Sequence, residues 1–216
     1  MRATTRLIFG PAAGVYDLVT AQEPWRRHCR AMGEGIPGRR VLDVGIGPGV
    51  SGIEMLRAAP SRMLVGLDAS PAMLDRARRH GREAGVPLAL VRADAGWLPF
   101  ADASYDGAAG HSVLYLLDDS DAALRELHRV VRPGGRVAFL EPNALDGLAR
   151  LRAVCRAYGA GFRFGTSMLL WSIFSALYGR YTPDRIVAQL VRCGFVRPRI
   201  SPAFDGLALV ASAVRP

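Results

Sequence analysis

The chain has 216 residues, half of them apolar, with 28 basic residues against 19 acidic ones and a formal charge of +9. That length suits one domain with a sizeable core, and without a run of 18 apolar residues no spanning helix is expected. Three scattered cysteines, Cys29, Cys155 and Cys193, fit neither a disulfide framework nor a zinc site, so a reduced, cytoplasmic protein is expected.

Every basic residue is arginine. The positive excess keeps an anionic membrane surface, an acidic metabolite and nucleic acid open as partners. Met1 to Gly10 carries Arg2 and Arg6 but too short an apolar stretch for a signal peptide. Residues 11 to 35 read as a helical lead-in. Ala12, Val15, Leu18 and Val19 fall at helical spacing, Glu23-Pro24 breaks the pattern, and Trp25 to Met32 resumes it. Lying before the first strand, this segment can pack over a ligand mouth.

Val41 to Val44 is a short apolar strand, followed by Gly45, Gly47 and Gly49 at alternate positions and then by helical sequence from Val50 to Ala59. Bare glycine backbone lets amides approach a ligand closely, and Asp43 stands near the carboxyl end of the strand, where open α/β sheets bind ligands. The loop satisfies the G-x-G-x-x-G dinucleotide fingerprint from Gly47 to Gly52. It also has the D-x-G-x-G-x-G form, Asp43 to Gly49, which resembles motif I of class I S-adenosylmethionine-dependent methyltransferases. Arg62 to Leu67 is the second strand. It ends at Asp68, 25 positions after Asp43, where either cofactor would need an acid for its ribose hydroxyls.

Ser70-Pro71 opens the next helix with a cap and a proline, and Met73, Leu74 and Ala77 form its apolar face. Val86 to Arg92 is a third strand ending at Ala93-Asp94-Ala95. Tyr105 to Gly110 is the fourth, ending at His111-Ser112. Asp118-Asp119-Ser120 caps a helix whose stripe is Leu124, Leu127, Val130 and Val131, with Arg132-Pro133-Gly134-Gly135 expected to end it. Arg136 to Leu140 then delivers Glu141-Pro142-Asn143 to the ligand face.

Leu145 to Tyr158 is amphipathic, with Arg150, Arg152 and Arg156 on one side, and Gly165 to Gly179 is strongly apolar. The second segment reads as core helix, substrate wall or membrane-surface helix. Thr182-Pro183-Asp184 caps the last helix, with Ile186, Val187, Leu190 and Val191 inside and Gly194 ending it. Phe195 to Ile200 and Leu207 to Val214 are the final strands. About six residues join them, too few for a parallel crossover, so they form an antiparallel hairpin. Pro198 puts the first of the pair at an edge.

That hairpin separates the two cofactors. A doubly wound dinucleotide domain wants a sixth parallel strand reached by a crossover. An inserted antiparallel strand is the class I methyltransferase arrangement. Asp43 to Gly49, Leu67-Asp68, Ala93-Asp94-Ala95, Asp106 and Val131 to Gly135 together resemble the ubiquinone/menaquinone-biosynthesis (methyltransferase type 11) type of that class.

The resemblance implies a three-layer αβα Rossmann-like fold with a seven-stranded sheet of order 3-2-1-4-5-7-6, strand 7 antiparallel. It divides a single domain into a helical lid (1–38), a cofactor core (39–143), a helical cap over the substrate (144–181) and a C-terminal helix and hairpin (182–216). It implies S-adenosyl-L-methionine as cofactor and S-adenosyl-L-homocysteine as product. Asp43, Gly45, Ile46, Gly47, Gly49, Asp68, Ala69, Met73, Asp94, Ala95 and His111 become its contacts, with Asp68 on the ribose and Asp94 on the adenine. Methyl transfer is an in-line displacement that needs alignment and exclusion of water more than catalytic side chains. If the acceptor must lose a proton, His111 is the candidate base, with Tyr16 and Glu141 behind it. The expected acceptor is a small or lipid-like molecule. His111-Ser112-Val113-Leu114 stands where base-amine methyltransferases carry Asn/Asp-Pro-Pro-aromatic, so nucleic acid is not expected. Nor is a catalytic metal, since the histidines show no ligand spacing.

Overall fold

The apolar runs of the sequence pair into one seven-stranded sheet. In this computed structural model the described residues are 22–144, 154–156 and 162–216. Strands β1 (Arg40–Val44), β2 (Met63–Asp68), β3 (Ala89–Arg92), β4 (Tyr105–His111), β5 (Val131–Pro142), β6 (Val196–Ala203) and β7 (Ala208–Val214) lie in the order β3-β2-β1-β4-β5-β7-β6. The first five run parallel, and β7 is antiparallel to both of its neighbours. The expected sheet order and the inserted antiparallel strand are therefore present.

The sheet is accompanied by the α-helices α1 (Glu23–Glu34), α2 (Val50–Ala58), α3 (Pro71–Glu83), α4 (Ser120–Val130), α5 (Phe162–Tyr178) and α6 (Pro183–Arg192), by helical residues 154–156 and by two single 3-10 turns, Leu114–Leu116 and Phe204–Gly206. Three caps act as the sequence suggests. Ser70 accepts from the Met73 amide, Asp119 from Ala122 and Thr182 from Arg185. The strand period of two sorts side chains to two faces. Leu42 and Val44 join Leu124, Leu127, Ile186 and Leu190 on one side, while Val41 joins Trp25, Met32, Met55 and Trp171 on the other. Burying each such side chain contributes about 1.5–3 kcal/mol.

Several local expectations are corrected. Pro24 does not break a helix; it sits in the first turn of α1, where a missing amide donor costs nothing. Arg132 to Gly135 does not end α4. The helix stops at Val130 and the chain passes straight into β5, so the proline and glycines form an irregularity between pairs Tyr105–Val131 and Gly107–Arg136. β3 begins only at Ala89, three residues late. β6 runs on to Ala203, and Val191 is exposed rather than inside. Pro198 does lie on the edge strand, within a bulge where Arg197 takes a φ of +53°.

Asp106 belongs to the foot of the sheet, away from the strand ends that carry the site. Its Oδ2 accepts from the Arg39 and Arg40 amides at 2.7 and 2.8 Å, and its Oδ1 from Arg132 Nε at 2.6 Å. The Arg40 amide, with help from Arg132, holds this carboxyl below its usual range. Its place in the motif is structural: it ties the start of β1 to β4.

Candidate active site

The loop after β1 is folded by its glycines. Gly45, Gly47 and Gly49 have φ of +66°, +54° and +93°, a region that costs other residues about 1–2 kcal/mol. A Cβ on Gly45 would also clash with Val113. The Gly47 amide donates to Asp68 Oδ2 at 2.9 Å, and Ser70 donates to Oδ1 at 2.8 Å, so the end of β2 clamps the loop after β1. Burial raises the Asp68 carboxyl while these amides pull it back.

Gly45, Gly47, Asp68, Ala69, Met73, Asp94 and Ala95 line one cleft, closed on its far side by Ser112, Val113, Leu116 and Leu117. It encloses about 650 Å³, part of it open to solvent. Asp94 is exposed at its rim, with Oδ1 accepting from the Gly96 amide at 2.9 Å in an Asx turn. Four expected contacts lie elsewhere, His111 in a smaller chamber across the glycine loop. Gly49 caps α2 behind the loop, packed on Ala77. The Ile46 side chain is buried over Gly66. Asp43 is fully buried, with Oδ2 accepting from Ser51 Oγ at 2.6 Å.

On the other side of the glycine loop is a smaller chamber, lined by Trp25, Gly45, Ile46, Gly47, Pro48, Val50, Ser51 and His111. Strand register puts Asp43 beside Ala109, two residues before His111, so both side chains emerge on the α1 face. His111 Nδ1 lies 4.0 Å from Asp43 Oδ1. Neither ring nitrogen of His111 nor this oxygen has a hydrogen-bond partner among the described residues. Burial disfavours charge on both: it lifts Asp43 to about 7 and holds His111 down at about 3. At neutral pH this is a neutral imidazole beside a partly ionised carboxyl, not an ion pair. Orphaned groups at this depth are costly unless a ligand completes them.

Trp25 forms the chamber's lid. Its ring stacks on Phe204 with centroids 5.5 Å apart and meets the edge of Trp171 at 6.0 Å. The lid thus joins α1, the β6–β7 turn and α5. The far wall of the cleft is held from below by Glu141, fully buried at the end of β5, whose carboxylate accepts from the Val113, Leu114 and Tyr115 amides at 3.1, 2.9 and 3.5 Å. Burial pushes that carboxyl up to about 8. Ser112 has a φ of +52° and is fixed by Leu140 O and by the Trp171 indole, which donates to its Oγ at 3.2 Å. Glu141 is therefore a support of the wall and does not reach the chamber. Tyr16 lies outside the described residues, as do residues 11–21 of the lead-in and most of 145–158.

The methyltransferase-domain family matches residues 41–135. A demethylmenaquinone methyltransferase of Deinococcus radiodurans is 32% identical over 93% of this chain and 88% of its own. That of Thermus thermophilus is 34% identical over 62% of this chain and 64% of its own. The chain is a class I S-adenosylmethionine-dependent methyltransferase of the quinone-biosynthesis type. Its fold is shared with a SAM-dependent methyltransferase from Aquifex aeolicus (15% identity, TM-score 0.68, 93% of each chain). It is shared equally with the [4+2]-cyclase SpnF (16% identity, TM-score 0.71, 98% of this chain and 96% of that one), so the fold alone does not fix the reaction.

The methyltransferase uses S-adenosylmethionine as cofactor and transfers its methyl group to a small-molecule acceptor. The residues present fit that cofactor: a glycine loop that a Cβ would fill, a carboxylate at the next strand end, and unpaired polar atoms just beyond the loop. No helix among the described residues is long and apolar enough to cross a membrane. No group of three or more metal-ligating side chains occurs among them. Trp25, Trp171 and Phe204 were not foreseen as neighbours. They come from three distant stretches with no shared motif, and only Trp25's place before β1 hinted at a lid.

Proposed function

We propose that the methyltransferase acts on a small apolar acceptor of the quinone-precursor class, held under Trp25 beside His111. The supporting observation is the chamber itself: an aromatic lid over buried His111, whose ring nitrogens have no partner among the described residues, with the unpaired Asp43 Oδ1 4.0 Å away, separated from the larger cleft by one bare loop. The relatives' name supports the ring-type acceptor, and the apolar surface of α5 supports a lipid-like one with peripheral contact to an anionic membrane.

In this proposal Asp68 takes the ribose hydroxyls, Asp94 the adenine amino group, and Ala69, Met73 and Ala95 the faces of the adenosine. Gly45 and Gly47 pass their backbone along the amino-acid end, with Ile46 and Gly49 holding the loop in shape. Asp43 offers its unpaired Oδ1 toward the cationic ammonium there. The sulfonium supplies an activated methyl group and a neutral leaving group. His111 is neutral at working pH, so it accepts a hydrogen bond from an acceptor hydroxyl and orients it. A proton it gains rests beside the Asp43 carboxylate, 4.0 Å away. Trp25 and the wall from Ser112 to Leu117 exclude water.

The deciding experiment incubates the purified enzyme with methyl-labelled S-adenosylmethionine and reduced short-chain quinone precursors. Label in the ring product is expected, with His111→Asn lowering kcat about 100-fold while leaving S-adenosylhomocysteine affinity near the parent value. Cofactor binding without label transfer to any such acceptor would make the chain a binder of this fold rather than a quinone-class enzyme.

A further inference from the structure

Helix α5 carries no charged residue from Phe164 to Tyr178. Its inner face is buried through Met168, Trp171 and Ser175. Its outer face is not: Leu169, Leu170, Ile173 and Leu177 are 38%, 40%, 53% and 74% exposed. Spaced at i, i+1, i+4 and i+8, these four form one continuous aliphatic stripe. A stripe of this kind on a surface marks an interaction site.

What covers it is set by size and charge. Four partly exposed side chains fall far short of the roughly 20 residues a side that a stable protein–protein interface uses. A lipid surface needs no matching shape: an apolar helix face with basic residues around it is sufficient. Residues 154–192 carry five arginines, Arg156, Arg163, Arg180, Arg185 and Arg192, against a single acid, Asp184, and Arg192 among them is ion-paired with an acid from outside that stretch, Asp121. The same helix reaches the site, since Trp171 on its buried face donates to Ser112 in the wall of the cleft. We infer that the α5 stripe seats the enzyme on an anionic lipid surface, with the arginines that flank α5 along the chain supplying the attraction to the headgroups and the site's wall one layer behind. The inference rests on the proposed apolar acceptor only in explaining why such docking is useful, because an acceptor dissolved in the bilayer would arrive next to its chamber.

Flotation of the full chain with vesicles tests it. Binding is expected to phosphatidylcholine vesicles containing phosphatidylglycerol and not to phosphatidylcholine alone, weakening about tenfold or more between low and high salt. Ile173→Asp with Leu177→Asp should abolish flotation. Both positions are exposed, so melting temperature and S-adenosylhomocysteine affinity should stay at parent values. Absence of binding to the anionic vesicles overturns the inference, as does undiminished binding by the double variant. A dimer in light scattering that the double variant dissolves would assign the stripe to a second copy, and overturns it too. Flotation by a protein that transfers no label to quinone precursors would sink the acceptor proposal while upholding the docking surface.

Discussion

The cleft and the chamber share Gly45 and Gly47, yet they are built by opposite means. The cleft is made of backbone and short side chains at three consecutive strand ends, each fixed by hydrogen bonds from residues close in sequence or one strand away, as in Gly47 to Asp68 and Gly96 to Asp94. The chamber is closed over the other side of that loop by large side chains from distant segments, Trp25 and His111, with Phe204 and Trp171 packed against Trp25. The first is a surface that any adenosyl ligand can meet. The second is shaped by packing, so its contents can change between relatives without disturbing the first.

That contrast is open to attack from either side. The largest effect is expected from Trp25→Ala, which removes a buried aromatic that touches both Phe204 and Trp171 and should cost about 3–5 kcal/mol of stability. S-adenosylhomocysteine affinity, measured by calorimetry well below the lowered melting temperature, should change less than about threefold, the scale of residual coupling between separately packed regions. A parallel collapse of cofactor affinity would show that the two regions are one unit.

Asp68→Ala should act the other way. It removes a carboxylate that clamps the glycine loop, and losing charge-assisted hydrogen bonds of about 1.5–3 kcal/mol each predicts a loss of cofactor affinity of about 100-fold. The aromatic lid should be untouched, with near-ultraviolet circular dichroism like the parent's. A changed aromatic signal would tie the lid to the loop.

The smallest and sharpest effect is with pH. Asp43 is raised to about 7 in the cofactor-free protein, so it is largely neutral below that pH and ionised above it. A ligand ammonium favours the ionised form. S-adenosylhomocysteine affinity should therefore be flat above about pH 7 and fall by up to about tenfold per unit below it. His111, held near 3, stays neutral throughout and adds no slope in this window. Methylthioadenosine lacks the ammonium and should show no slope, and Asp43→Asn should remove it. A slope that persists in that variant would place the titrating group elsewhere.

Much of the cleft was legible in the amino-acid order because its geometry is local. Glycines must stand where φ is positive, caps must precede helices, and an acid must end the strand after the loop, so Gly45, Gly47, Asp68 and Asp94 announce themselves by spacing, while the same spacing did not show that Asp43, Ile46 and Gly49 stand behind the loop. The same locality made the six-residue link of the final strands decisive: a chain that short can only turn back. What spacing could not reveal was which large side chains meet. Trp25 and Phe204 are 179 positions apart, and their stacking depends on how α1 and the β6–β7 turn settle on a common sheet face. Burial likewise turned His111 from an ordinary imidazole into one held neutral, and made Glu141 a clamp for amides rather than a ligand group. Sequence determined the strands, the turn-back of the final pair and the bare loop, because backbone sterics act between near neighbours, while the strand order followed from the family resemblance. Tertiary packing decided the lid, the protonation of the buried pair and the exposed stripe of α5, because dielectric and contact are properties of what surrounds a residue, not of the residue.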